Sequence, residues 1–250
     1  MKLIADTHIH SMACSHAYST VLENIAAAKA AGLKFMAITE HGPTIPDAPH
    51  IWNIRSNREV PTFFDGLIIL HGAEVNIVDS QGNLDIEEKT LASLDWVIAS
   101  MHKPCCGDLS YEEATNAWLQ VAQNPHVDVI GHSGDQRYAF DYEKVIPVFK
   151  EYGKIVEINN SSVLSRPGAK ENCKTIAALC KKYGVPVVVN TDSHFAPNIG
   201  RFDQAIPILE AVDFPEELVL NAGYSRFWPL CNPKPRMKNS KPIPAKNKAP

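Results

Sequence analysis

Residues 3–10 read LIADTHIH, and this stretch decides how the rest of the chain is interpreted. It begins as a short apolar strand and ends in polar side chains, with His8 and His10 two positions apart. In an extended chain, residues two apart point to the same side. Two imidazoles on one side of a strand end can bind one metal ion. The stretch therefore predicts a strand that delivers metal ligands at its carboxyl end.

Similar apolar runs recur along the chain, and most of them end in His, Glu or Asp. They predict seven strands, at Leu3–Thr7, Phe35–Thr39, Leu67–Leu70, Trp96–Ser100, Val127–Gly131, Ile155–Ile158 and Val185–Asn190. The runs are nearly continuous in apolar residues, as in a parallel sheet buried on both faces. Helical patterns lie between most of them, at Ser19–Ala31, from Ser110 onward, at Tyr142–Tyr152 and at Ala169–Tyr183.

Strands that alternate with helices predict an α/β fold with parallel strands. A closed barrel brings all the polar strand ends to one mouth, whereas an open sheet spreads them along a line. We therefore predict a single-domain (β/α)7 TIM-like barrel.

The candidate metal ligands are nine side chains at these strand ends and in one loop: His8, His10, His16, His41, Glu74, His102, His132, Asp192 and His194. Packed together without a metal, such groups would repel when charged and lack partners when buried. Nine ligands exceed the needs of one ion, so they predict three ions or two well-filled sites. Glu74 is the candidate bridge between ions. Nitrogen and oxygen donors are compatible with zinc, manganese or iron, and they do not identify which of these metals is bound.

The bulk composition predicts a soluble, cytoplasmic protein. The chain has 250 residues, with 45% hydrophobic and 21% charged. We see no apolar run long enough to span a membrane and no signal peptide at the N-terminus. The six cysteines form no CxxC pair, which argues against a thiolate zinc site.

The charged residues are distributed unevenly on the two sides of Cys231. Six of the 24 Lys and Arg residues follow Cys231, so the remainder is more acidic than the net charge of −4 indicates. We predict a barrel over residues 1–231 and a basic, Pro- and Lys-rich disordered tail over 232–250. The acidic body argues against long nucleic acid as a partner. A homo-oligomer is left open.

The motifs in this order resemble the PHP (polymerase and histidinol phosphatase) family. They are DTHIH at 6–10, TEHG at 39–42, GAE at 72–74, SMH at 100–102, GH at 131–132 and TDSH at 191–194. The match extends from residue 3 to about residue 230. Residues 157–162 and 166–172 resemble the YcdX-like phosphatase branch of that family.

The resemblance implies a distorted seven-stranded barrel with three divalent ions, most readily zinc, and a small phosphorylated substrate. It also implies that His8, His10, Glu74 and Asp192 hold the first ion, that Glu74, His102 and His132 hold the second, and that His16, His41 and His194 hold the third. The implied reaction is hydrolysis of a phosphate monoester by a hydroxide that bridges two metals.

Three further residues are candidates for catalytic roles. Asp6 could accept the N–H of a ligand imidazole, or it could bond nearby backbone. Lys103 and Arg201 could each hold a phosphate oxygen, and Arg166 shares that ambiguity, because most cations simply lie on the surface.

Competing functions remain open at this point. A phosphodiesterase or nuclease could use the same metals on nucleotide diesters. An amidohydrolase also begins with His-x-His on a barrel, but it would not account for His16, His41, Glu74 and His102 together. A non-catalytic metal-binding domain would have a closed site, whereas a barrel mouth favours catalysis.

Overall fold

The computed structural model describes residues 1–231. The predicted tail, residues 232–250, lies outside the described residues. Within the described part, no helix is long and apolar enough to cross a membrane.

One sheet forms the centre of the fold. Its strands are β1 (Ala5–Asp6), β2 (Phe35–Ile38), β3 (Phe63–Phe64), β4 (Leu67–Ile77), β5 (Trp96–Met101), β6 (Val129–Ile130), β7 (Ile155–Asn159) and β8 (Val187–Asn190). Seven of them are parallel in the order β1-β2-β4-β5-β6-β7-β8, and β3 pairs with β4 in antiparallel orientation. An isolated parallel bridge between Ile9 and Ser193 joins the two ends of the sheet. The predicted seven-stranded TIM-like barrel is confirmed, and the short strand β3 is an addition that the sequence did not predict.

Helices cover the outside of the barrel. The α-helices are α1 (Val21–Ala30), α2 (Ile51–Ser56), α3 (Glu88–Leu91), α4 (Lys103–Cys106), α5 (Tyr111–Gln123), α6 (Tyr142–Glu151), α7 (Asn160–Ser165), α8 (Ala169–Tyr183), α9 (Ile206–Glu210) and α10 (Tyr224–Phe227). Short 3-10 helices lie at Asn57–Glu59, Gln136–Tyr138, Ala196–Asn198, Glu216–Leu218 and Leu220–Ala222. Capping boxes begin α1, at Thr20 with Glu23, and α5, at Ser110 with Glu113.

The inner face of the barrel changes from apolar to polar along the strands. On β5, Ile98 belongs to the inner apolar cluster, and Ser100 and His102 follow it at intervals of two. On β4, Leu70 is likewise followed by Gly72 and Glu74. Because side chains alternate between the two faces, these residues share the inner face. The amino-terminal half of the interior is thus packed with apolar side chains, and the polar groups gather at the carboxyl ends.

Candidate metal centre

Four ligand-type side chains from three parts of the barrel converge at its mouth. The Nε2 atom of His8 lies 3.3 Å from Oε2 of Glu74 and 3.4 Å from Oδ1 of Asp192. The Nε2 atom of His10 lies 3.5 Å and 3.3 Å from the same two oxygens. All four residues are buried. The residues that the sequence resemblance groups around a first ion are therefore brought together.

These atoms lie close together but do not form hydrogen bonds with one another. Among the described residues, no hydrogen-bond partner is found for His8 Nε2, for either ring nitrogen of His10 or for Asp192 Oδ1, and the 2.7 Å approach of His41 Nδ1 to Glu74 Oε2 lacks the geometry of a hydrogen bond. Buried polar atoms without partners are costly, so their convergence needs an explanation. Zinc bonds of about 2.0–2.1 Å in a tetrahedron place ligand atoms about 3.4 Å apart, close to the separations observed here. The residues present thus fit a divalent ion.

Glu74 faces two groups of histidines with its two oxygens. Its Oε1 lies 2.9 Å from Nε2 of His132 and 3.5 Å from Nε2 of His102, and those two nitrogens are 3.1 Å apart. Its Oε2 lies 2.7 Å from Nδ1 of His41, in addition to its approach to His8 and His10. A carboxylate in this position is able to bridge ions, as the sequence suggested.

A further group of histidines lies toward the solvent. The Nε2 atoms of His16 and His41 are 3.2 Å apart. The ring of His194 stacks on those of His10 and His16, with centroids 4.3 Å and 4.8 Å apart. The side chain of His16 is 42% exposed, whereas that of His41 is 5% exposed. The outer end of the cluster is therefore open to water.

The nine predicted ligands form one continuous cluster. Three sets of ligand atoms each lie within 4.8 Å of one another, namely His8, His10 and Glu74, then His10, His41 and His194, then His41, Glu74 and His102. The sets overlap at His10, His41 and Glu74, so the ligand atoms form one connected cluster rather than separate sites. A fourth set, His10, Cys14 and Glu40, was not predicted, and there the Cys14 thiol donates to Glu40 over 3.3 Å.

The pKa shifts of the two carboxylates and of two of the histidines suit metal binding. Burial alone would raise the pKa of the Glu74 and Asp192 carboxyls, but the surrounding histidines hold both well below the usual range. Burial, helped by His41 and His194, holds the pKa of His10 well below its usual value. Burial likewise lowers the pKa of His102. Burial alone would lower the pKa of His8 and His41, but the carboxylates beside them raise it. Metal ligands bind as carboxylates and neutral imidazoles, the forms that the shifts favour at Glu74, Asp192, His10 and His102.

Three polar residues that the sequence analysis missed hold the ligands in place. Nδ1 of His8 lies 2.7 Å from Oε1 of Glu157, Nδ1 of His102 lies 2.7 Å from Oδ1 of Asn76, and Nδ1 of His16 lies 2.7 Å from Oδ2 of Asp47. Partners of this kind fix the tautomer and orientation of a metal-binding imidazole. Glu157 and Asn76 share the inner face of their strands with recognised residues, so the period of two could have revealed them.

The predicted catalytic residues lie around the cluster rather than within it. The carboxylate of Asp6 accepts hydrogen bonds from the backbone of Thr191 and Gly200, at 3.1 Å each, and from the Thr191 hydroxyl at 2.6 Å. Its burial raises its pKa to about 6. Lys103 is exposed and pairs with Asp108 over 3.0 Å. Arg201 is exposed and lines a cavity together with His194.

A cavity of about 530 Å³ opens over the cluster. Its wall includes His16, His41, His102 and His194 together with three cationic side chains, Lys103, Arg137 and Arg166. The buried carboxylate of Asp135 holds Arg137 at 2.5 Å and Arg166 at 3.2 Å. An anion in this cavity would lie close to both the histidines and the cations of its wall.

Fold and site together define a class: a seven-stranded α/β barrel whose mouth carries a histidine and carboxylate cluster suited to divalent metals. The sequence profile of the PHP domain matches residues 6–161. The chain belongs to the PHP domain family, which confirms the resemblance seen in its motifs.

The relatives cover nearly the whole chain. A probable phosphatase of Clostridium novyi is 44% identical over 240 residues, which is 96% of this chain and 98% of the relative. A probable phosphatase of Acetivibrio thermocellus is 44% identical over 91% of this chain and 94% of its own length.

The fold is also found in a solved structure. Histidinol phosphate phosphatase from Lactococcus lactis, in complex with zinc, L-histidinol and phosphate, superposes with a TM-score of 0.60. The match covers 86% of this chain and 95% of that chain, at 17% identity. At that identity the likeness supports the barrel fold and no finer conclusion.

Proposed function

We propose that this protein is a metal-dependent phosphatase that hydrolyses a small phosphate monoester at a site for three divalent ions, with zinc favoured. One observation carries the proposal: buried, unpartnered ligand atoms lie beside a cavity whose wall carries three cationic side chains. Its relatives named as probable phosphatases support the same reaction class.

The nine side chains would divide as the family resemblance implies. His8, His10, Glu74 and Asp192 would hold one ion, Glu74, His102 and His132 a second, and His16, His41 and His194 a third. The separations within each group support this partition, and the two-sided position of Glu74 supports its role as a bridge. Bound divalent ions supply charge that polarises a phosphoryl oxygen and lowers the pKa of a water.

The cationic side chains of the cavity wall would bind the phosphate group of the substrate. Arg166 is 16% exposed in its side chain and lines the same cavity as His102, a predicted ligand. Arg137 and Lys103 line the same cavity. Guanidinium groups form paired hydrogen bonds with phosphate oxygens, and Asp135 would hold the two arginines in place for this. Arg201 lies in a different cavity, and its predicted contact with phosphate remains a prediction.

The test measures metal content and turnover on one sample. Protein purified without chelator is analysed for bound metals and assayed with p-nitrophenyl phosphate and with bis(p-nitrophenyl) phosphate. We expect two or three ions per chain and turnover of the monoester above the diester. His8→Ala should lose both metal and turnover, while His126→Ala, a histidine paired with Glu88 outside the cluster, should keep both.

Two results would contradict the proposal. One or fewer firmly bound ions after supplementation with zinc or manganese would overturn the trinuclear site. Turnover of the diester alone would replace the phosphatase by a phosphodiesterase on the same metals.

A further inference from the structure

A second cavity, of about 450 Å³, lies beside the one that carries the cations. Asp192 and His194 line both cavities, so the predicted metal ligands form the boundary between them. A substrate bound at that boundary would extend into both. Since Lys103, Arg137 and Arg166 line the first cavity, an anionic phosphoryl group favours that side. The second cavity is then left for the group that the phosphate is attached to.

The rim of the second cavity is apolar and exposed. Tyr18 is 75% exposed, Leu164 is 74% exposed and Phe195 is 49% exposed, and all three line the cavity. Exposed apolar side chains grouped at a concave site commonly mark a ligand-binding surface. These three residues line one cavity together with Asp192 and His194, two predicted metal ligands, so the rim is a candidate ligand-binding surface.

The rim is held in position by the backbone. The N–H of Tyr18 donates to the carbonyl of His194 over 2.8 Å, which ties the first loop to the end of the last strand. The N–H of Ala196 donates to the Ser19 hydroxyl over 2.9 Å. The backbones that carry Tyr18 and Phe195 are thus fixed relative to the metal cluster, and a binding surface built on them is formed in advance.

The remaining wall of the cavity is polar. Arg201 and Gln204 line it, and the backbone N–H groups of Gln204 and Ala205 donate to Oδ1 of Asn160 over 2.8 Å and 3.0 Å. These bonds connect the loop before α9 to the start of α7. A ligand here would meet apolar rings on one side and hydrogen-bonding groups on the other.

We propose that this cavity binds the leaving group of the substrate, and that the substrate is a phosphate monoester of an alcohol that carries a planar aromatic ring with polar substituents. This inference rests on the proposed phosphatase function. The ring would stack on Tyr18 and Phe195, and Arg201 and Gln204 would contact its polar substituents. Tyr18 and Phe195 would then determine specificity without taking part in the chemistry.

The experiment compares two esters with similar leaving groups, benzyl phosphate and n-propyl phosphate. We expect the metal-loaded wild type to prefer the benzyl ester. Tyr18→Ala should lower kcat/KM for the benzyl ester about three- to tenfold, the range for loss of one aromatic contact, and should leave the propyl ester within about twofold. Tyr18→Phe, which keeps the ring, should retain the preference.

A matched control and a binding measurement separate the two proposals. Tyr152→Ala removes an exposed tyrosine at the opposite end of the barrel, just after α6, and should change neither ester. Calorimetry with benzylphosphonate and n-propylphosphonate, which cannot be hydrolysed, should show the same loss for Tyr18→Ala as turnover does. Equal effects on both esters and both phosphonates would overturn the aromatic subsite. Failure of the metal-loaded wild type to hydrolyse these two esters and p-nitrophenyl phosphate would overturn the phosphatase function, while phosphonate binding would still decide the subsite.

Discussion

The Nδ1 atom of His8 lies 2.7 Å from Oε1 of Glu157, a residue 149 positions later in the chain. The two oxygens of Glu157 accept from four donors. Oε1 also accepts from Asn190 Nδ2 at 2.9 Å, and Oε2 accepts from the His132 backbone at 2.8 Å and from Asn159 Nδ2 at 3.0 Å. One buried carboxylate therefore positions two predicted metal ligands.

Glu157→Gln should weaken metal binding about 10- to 100-fold, the usual range for loss of a partner of a ligand. An amide can accept at one end only, so its NH₂ group would face donors that the carboxylate now satisfies. Competition with a chromophoric chelator would measure the affinity. Metal binding equal to that of the wild type would show that the contact does not position His8.

Removal of metal should lower thermal stability. Each ion that binds only the folded chain stabilises it by about 2.7 kcal/mol when its concentration is 100 times Kd. A shift of roughly 2–4 °C per kcal/mol predicts that Tm falls by about 5–10 °C for each ion removed. Calorimetric scans before and after treatment with EDTA test this, and restoration of Tm by added zinc is the control. An unchanged Tm would indicate that the cluster is stable without metal.

The ions should leave in stages, beginning at the solvent-exposed end. His16 is 42% exposed in its side chain, whereas His8 and His10 are fully buried, so the group of His16, His41 and His194 should release its ion first. Asp47→Asn should lower the affinity of that site alone, because Asp47 contacts His16. Metal content measured along a chelator titration gives the order. A single concerted loss of all ions would contradict it.

Asp135→Asn should destabilise the fold in a manner that depends on pH. Burial alone would raise the pKa of Asp135, but Arg137 and Arg166 hold it below the usual 3.8. A carboxyl with a lowered pKa stabilises the folded state above its unfolded pKa, and this contribution is lost as the pH falls through the folded value. We expect the variant to be about 1–2 kcal/mol less stable at pH 7 in urea unfolding, and the difference to shrink below pH 4. A difference that stays constant with pH would contradict the role assigned to the two arginines.

Gly131→Ala should disturb both packing and metal binding. A Cβ on Gly131 would overlap Oγ of Ser100 and lie 2.7 Å from Cγ2 of Ile98, so the strand that carries His132 would shift. Overpacking of this kind costs about 1–3 kcal/mol. Gly223→Ala is the matched control, because its Cβ would meet only the flexible side chain of Arg226. Urea unfolding and metal content should change in the first variant alone.

The alternation of polar and apolar residues was sufficient to predict most of the fold and many residues of the site. His8 and His10, and later Asp192 and His194, stand at spacings of two after apolar runs, and all four join one cluster. On β4 the same alternation extends beyond the predicted strand, because β4 continues past Glu74 to Ile77 and so places Asn76 on the inner face. On β7 the alternation likewise places Glu157 on the inner face, between Ile155 and Asn159.

Other features depend on the path of the loops, so the spacing of polar and apolar residues along the strands could not predict them. Asp47 approaches His16 because two loops fold over the mouth, and no spacing in the sequence brings residues 16 and 47 together. Strand β3 has two residues, too few for a pattern. Asp6 follows the periodicity of its strand, but the turn after β8 offers it the N–H groups of Thr191 and Gly200.

The bridge between Ile9 and Ser193 closes the sheet with residues from opposite ends of the described chain. His8 and His10 leave the ribosome early, but Asp192 is synthesised only after some 180 further residues. The innermost group of ligands is therefore incomplete throughout most of translation. Under the proposed function, a nascent chain could bind its full set of ions only after Asp192 and His194 have emerged and docked beside His8 and His10. Complete metal binding would then mark the closure of the barrel.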